Sequence, residues 1–152
     1  MAKYKTAPNY TVVRDTREQQ GYFFTGDYSI LGMEDKVCIE RKASVSEIAL
    51  NLGKGKYAFY NEVERMREYE HKFIICEFSM EDVMKFPEGA KIPKELKDRV
   101  KITGKYILRC LMEFAVFNDV HVIFAGSERG AFDLTSSLLK RINEKYTIGR
   151  KT

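Results

Sequence analysis

Two carboxylates and an ammonium group stand at a spacing that suits phosphodiester chemistry. Asp27 follows Gly26, twelve residues intervene, and Glu40-Arg41-Lys42 comes next. Alternate residues of a strand share a face, so Glu40 and Lys42 project together while Arg41 points the other way. Antiparallel pairing of the incoming segment would set the Asp27 carboxylate beside that of Glu40. Two carboxylates at the edge of an apolar sheet repel each other, and a bound divalent cation relieves that. Mg2+ takes oxygen ligands and keeps several waters, so it needs few protein carboxylates. It would polarise a phosphoryl oxygen and favour ionisation of a water. Lys42 would orient or help deprotonate that water and offset charge building on the phosphate.

Other charged residues are candidates for the same centre. Asp15 leaves the apolar run Tyr10–Val13 toward the same sheet edge, with Arg17 and Glu18 just beyond it. Arg17 and Arg41 would bind the scissile phosphate or brace the carboxylates, and the opposite-face position of Arg41 favours the brace. Glu47 has two readings: third residue of a capping box opened by Ser44, or a carboxylate at the cation. Lys54 and Lys56, beside two glycines at a helix start, would track a DNA backbone. Lys91, Lys94, Lys97, Arg99 and Lys101 form a basic loop, and a charge run of that kind is usually a solvated surface. His71 and His121 adjoin strands and read as packing residues.

The elements that must position these groups follow from pattern. Residues 1–9 are polar and contain Pro8, which predicts a loosely held arm. Tyr10–Val13, Tyr22–Phe24 and the Ile30-Leu31 pair read as extended, Met33–Lys36 as a hairpin turn, and Lys36–Lys42 as a central strand. Ser44-Val45-Ser46-Glu47 opens a helix through Leu52. A second helix spans Lys56–Glu70, with Tyr57, Tyr60, Val63 and Met66 as its apolar stripe. Phe73–Phe78 is the strongest strand. Met80–Phe86 is a short helix capped by Ser79, and 87–102 a loop. Thr103–Asn118 is a long apolar helix, His121–Ala125 a strand, and Ala131–Tyr146 a last amphipathic helix. The order predicts an α/β fold, a central mixed sheet with helices on both faces.

Composition sets outer bounds. The chain has 152 residues, a formal charge of +4 and 44% hydrophobic residues, the balance of one ordinary globular domain. No apolar run is long enough to span a membrane, and the N-terminus lacks the apolar region of a secretory signal. Cys38, Cys76 and Cys110 lie in apolar segments without a CxxC neighbour, which predicts buried, reduced thiols in an intracellular protein.

With these residues in view, the sequence resembles the nuclease domain of the XPF-type structure-specific endonucleases, within the PD-(D/E)XK superfamily. That family's pattern is a G-D pair, a variable spacer, then E-R-K, three residues and an Asp. Gly26-Asp27 and Glu40-Arg41-Lys42 match it, and Val13-Arg14-Asp15-Thr16-Arg17-Glu18 matches the upstream V-x-D-x-R-E element. By strict count the last Asp falls on Ser46, and Glu47 matches with one inserted residue. Gly55-Lys56 stands where the family commonly has Gly-Arg, so the bidentate fork on phosphate is lost.

The resemblance implies a restriction-endonuclease-like fold over residues 10–147, with an arm at 1–9 and a tail at 148–152. It implies an endonuclease that uses Mg2+, or Mn2+ in its place, on branched or single/double-strand junction DNA. Catalysis would rest on Asp27, Glu40 and Lys42, with Arg41 and Asp15. The metal would be held by Asp27, Glu40 and Glu47 or the Arg41 carbonyl, and DNA by Arg17, Lys54 and Lys56. The alternatives are a non-catalytic DNA-binding partner subunit and a Holliday-junction resolvase. The family pairs through its nuclease domain, so a homodimer or a nuclease-domain partner is expected, with the Thr103–Asn118 helix as the surface.

Overall fold

The computed structural model describes residues 2–7, 10–14, 26–54, 56–93 and 100–147. The sheet runs, in order, β1 (Ala2–Ala7), β2 (Tyr10–Arg14), β3 (Tyr28–Ile30), β4 (Val37–Lys42), β5 (His71–Cys76) and β6 (His121–Phe124). The first four strands pair antiparallel as hairpin neighbours. The pairs β4–β5 and β5–β6 are parallel, and parallel neighbours need crossovers, which here are helical. Between β4 and β5 lie α1 (Val45–Leu52) and α2 (Lys56–Met66); between β5 and β6 lie α3 (Met80–Lys85) and α4 (Gly104–Phe117). The last helix, α5 (Glu128–Thr147), follows β6.

Both crossovers step the same way across the sheet, so their four helices pack on one face. There Cys38, Ile74 and Cys76 meet Ile48, Phe59, Met66, Leu111 and Phe114 in one core. Helix α5 covers the opposite face, where Leu139 and Ile142 pack on Val12, Ile30, Ile39 and Ile75. The mixed sheet with helices on both faces is therefore as the sequence pattern predicts.

Local chemistry explains the ends that matter for the site. Met33 accepts from the N–H groups of Lys36 and Val37 and closes the β3–β4 turn. Buried Ser29 donates its hydroxyl to the Val37 carbonyl at 2.7 Å, tying the short β3 to the start of β4. Ser44 caps α1 by accepting from the Glu47 N–H at 3.1 Å. Ser79 and Asp82 form a reciprocal box on α3, and Thr103 caps α4.

Three expectations change. The segment expected as a loose arm forms strand β1, because β2 offers it an open antiparallel edge. The α2 stripe is Phe59, Val63 and Met66, with Tyr57 84% exposed; the helix is rotated from the predicted phase because Phe59, not Tyr57, enters the core. Helix α5 starts three residues early, where the Ser127 hydroxyl accepts from the Gly130 N–H at 2.9 Å. The Tyr22–Phe24 patch lies outside the described residues. All three cysteines are buried.

Candidate active site

The carboxyl ends of parallel strands open a crevice where a sheet changes direction of connection. Here β4 ends at Lys42, with β5 parallel on one side and β3 antiparallel on the other. A cleft of about 550 Å³ opens at this end, its floor formed by Asp27, Glu40 and Lys42, with Glu47 and Asn51 of α1 on one wall.

Gly26 brings Asp27 into place. Its φ of 93° lies where only glycine is comfortable, and a Cβ there would come within 2.6 Å of the Cys38 sulfur. The turn lets the Asp27 N–H donate to the Ile39 carbonyl at 2.8 Å, while Asp27 Oδ2 accepts from the Arg41 N–H at 2.8 Å. These two bonds bracket Glu40. The expected approach of the Asp27 segment to β4 is thus found, fixed through the backbone.

Strand alternation does the rest. Glu40 and Lys42 share the α1/α2 face, each with a side chain only 7% exposed, and Lys42 Nζ lies 3.4 Å from Glu40 Oε1. Lys42 Nζ also sits 4.7 Å over the Phe59 ring and 3.8 Å from Glu47 Oε1. Glu47 therefore does half of the capping-box work, through its N–H alone, and its carboxylate faces Lys42.

Glu62 was not singled out from sequence, yet its carboxyl lies close enough to Glu40 to raise that residue's pKa. It lies three residues after Phe59 and four before Met66, which places it on the inward face of α2. The correct helix phase would have found it. Asn51 was missed too: one turn after Glu47 on α1, it lines the cleft, and its buried Oδ1 has no hydrogen-bond donor among the described residues.

Electrostatics follow from this crowding. Burial pushes the Glu40 carboxyl well above the usual carboxylate range. The charges of Asp27 and Glu62 push the same way, and Lys42 opposes them only in part. For Lys42, burial works to remove its proton, but Glu40, Glu62 and Glu47 outweigh that and raise its pKa. The Cys38 thiol is likewise pushed up, by burial first and then by the charges of Glu40, Glu62 and Asp27. These glutamates favour the ammonium form of Lys42.

Arg41 leaves this cluster, as strand alternation requires. Its Nη2 and Nε lie 2.7 and 3.2 Å from Glu77 Oε2 on the other face, and its guanidinium stands 5.6 Å over the Tyr28 ring. Lys54 is exposed in the turn after α1, and exposed Lys56 lies over the Tyr60 ring at 5.7 Å; neither lines the cleft. Asp15, Arg17 and Glu18, and Lys94, Lys97 and Arg99 of the basic loop, lie outside the described residues. His71 bonds the Tyr146 hydroxyl at 2.9 Å and His121 stacks on Phe73, both packing roles.

Among the described residues, no three acidic, histidine or cysteine side chains close around a point as a metal cage. A hard cation that keeps its waters needs no cage. The fit to such an ion rests on the donor set: carboxylates of Asp27, Glu40, Glu62 and Glu47 against one ammonium, plus an amide oxygen on Asn51 that has no partner among the described residues. One divalent cation would offset most of that negative charge, with Asp27 and Glu40 to hold it and Glu47 and Asn51 lining the same cleft.

The profile of the ERCC4 domain family matches residues 5–138. Among solved structures, the chain is similar to XPF from Aeropyrum pernix at 18% identity and a TM-score of 0.56, covering 82% of this chain and 52% of that one. A second match is XPF from Aeropyrum pernix in complex with DNA, at 18% identity and a TM-score of 0.56, covering 88% and 64%. The chain thus spans roughly half to two thirds of the length of those chains. These likenesses place its fold with the restriction-endonuclease-like XPF nuclease domain. No curated protein matches the sequence.

Proposed function

The chain belongs to the ERCC4 domain family, a family of DNA nucleases, and from that premise we propose that it is a divalent-metal-dependent endonuclease acting on branched or junction DNA. The observation that carries this reading is the bracketing of Glu40 by Asp27 with Lys42 3.4 Å away, all on the floor of one open cleft. Asp27 and Glu40 would hold Mg2+ or Mn2+. When bound, that ion supplies charge to the phosphoryl oxygens and lowers the pKa of water.

The chain's own groups do the remainder. Lys42, kept protonated by its three glutamates, donates to a phosphoryl oxygen and orients the attacking water, which stabilises charge that grows in the transition state. Glu62 holds Glu40 from behind, and Arg41–Glu77 anchors the strand that carries both Glu40 and Lys42. By the family resemblance Asp15 would take part in catalysis and Arg17 in DNA binding, and Lys54 and Lys56 would follow the DNA backbone. The exposed apolar residues of α4, Met112, Val116 and Phe117, are the surface by which a second copy or a related nuclease domain would pair. Acting on DNA, the protein would work inside the cell.

The test is incubation of the purified chain with labelled flap, fork and four-way junction DNA in Mg2+ and in EDTA. Cleavage only with the metal, lost in Asp27→Asn and Glu40→Gln, is the expected result. DNA binding without cleavage of any substrate would instead give the chain a non-catalytic role, and symmetric cuts across a four-way junction would make it a resolvase.

A further inference from the structure

A second groove of about 470 Å³ runs between α5 and strands β2 and β3, on the sheet face opposite Glu40. Its lining sets the rings of Tyr10 and Phe132 over the buried Val12 and Leu139, with Ser136 and Ser137 at the rim. It adjoins the catalytic cleft, since Tyr28, Arg41 and Phe132 line both. On α5, Phe132, Ser136, Leu139 and Lys140 follow the three-to-four spacing of one helix stripe, so the helix presents this wall along its length.

Charge marks both ends of the groove. Where it joins the cleft, the guanidiniums of Arg14 and Arg41 stand 6.0 and 5.6 Å over Tyr28. At the far end, Lys140 and Arg141 are exposed, with Arg141 sharing Glu144 at 3.4 Å. Arg41 and Arg141 are already paired with Glu77 and Glu144, so Arg14 and Lys140 are the main cations offered, and a matching occupant brings a flat apolar body with anions at those two points. A single nucleic-acid strand has that chemistry, because its bases are unstacked and its phosphates recur along the chain. A duplex hides its base faces and does not.

We propose that this groove is a subsite for unpaired nucleotides of the strand being cut, holding bases next to the scissile phosphate against the rings of Tyr10 and Phe132 and their phosphates at Lys140 and Arg141. This rests on the nuclease reading above and deepens it. It explains how a chain with an ordinary net charge selects a junction: the cleaved strand must be unpaired on one side to enter.

The experiment is fluorescence anisotropy of the full chain in EDTA, so that binding is read without cleavage, using labelled oligo(dT) and a blunt duplex. Ser136→Trp fills the groove from an exposed position without changing charge, and Lys140→Glu reverses the far-end charge. Both should weaken oligo(dT) binding by about tenfold, the scale of one lost base contact, and duplex binding by less than about twofold, with melting temperatures kept. Wild-type oligo(dT) affinity in both variants would overturn the proposal and leave the groove to a peptide or to no ligand. Equal loss of oligo(dT) and duplex binding would also overturn it. Cleavage with no groove effect removes only the subsite. Groove-dependent binding with no cleavage of any junction removes only the nuclease reading.

Discussion

Asp27 grips strand β4 on both sides of Glu40, through its N–H to the Ile39 carbonyl and its Oδ2 to the Arg41 N–H, each at 2.8 Å. The two carboxylates are thus held together by backbone bonds that survive their mutual repulsion. Removing one charge should relieve that repulsion and abolish function at once. Asp27→Asn keeps an acceptor for Arg41, so in EDTA it should melt at or above the wild-type temperature. Its cleavage rate should fall by at least about a hundredfold, the scale of a lost electrostatic contact in the transition state. Thermal melts and single-turnover cleavage, run side by side, check both halves.

Stability in metal-free buffer should depend on pH through Glu40. Burial, then Asp27 and Glu62, raise its folded pKa, so the folded state keeps a proton that the unfolded chain releases near pH of about 4.3. The folded state binds more protons above that pH, and stability therefore falls as pH rises through the folded pKa, then levels. The difference in melting temperature between wild type and Glu40→Gln, taken in EDTA across this window, should show that fall. A difference that grows in favour of the wild type with rising pH would contradict it.

Divalent metal should reverse the effect. An ion at about 100 times its Kd stabilises a fold by about 2.7 kcal/mol, or some 5–10 °C for a chain of this size. Mn2+ should raise the wild-type melting temperature at neutral pH by about that amount. Asp27→Asn and Glu40→Gln should show little of the shift, and Asn51→Leu a reduced one.

Gly26 is the hinge of the arrangement. At φ 93°, with Cys38 sulfur and the Ile39 carbonyl in the way, Gly26→Ala should cost about 1–3 kcal/mol of stability through backbone strain. It should also move Asp27 and so blunt the Mn2+ shift, whereas Gly32→Ala, with open space around its Cβ position, carries strain alone and leaves the shift intact. Denaturant melts with and without Mn2+ separate the two.

Breaking the Arg41–Glu77 pair leaves a largely buried charge alone. The side chains are 11% and 16% exposed, so Glu77→Ala should destabilise by about 3 kcal/mol. Replacing both by methionine should recover much of that loss, and urea unfolding of the three variants tests it.

The centre of the fold was legible because its signals are local. Alternation in β4 alone predicts that Glu40 and Lys42 share a face and that Arg41 does not, and the caps Ser44, Ser79 and Thr103 mark their helices by residue type. Glu62 was hidden because α2 carries tyrosines on both sides, and taking Tyr57 for a core residue turned the helix away from its buried face. Asn51 gives no sequence sign, since its role depends on which wall of the cleft α1 forms. Strand β1 escaped for a similar reason: its pairing comes from the open edge of β2, not from an apolar pattern of its own.

The most direct measurement is anomalous diffraction from crystals of the chain soaked in Mn2+. A single peak within about 2.5 Å of carboxylate oxygens on both Asp27 and Glu40 is the predicted result. A peak away from both, or full occupancy of the same position in Asp27→Asn, would contradict the account.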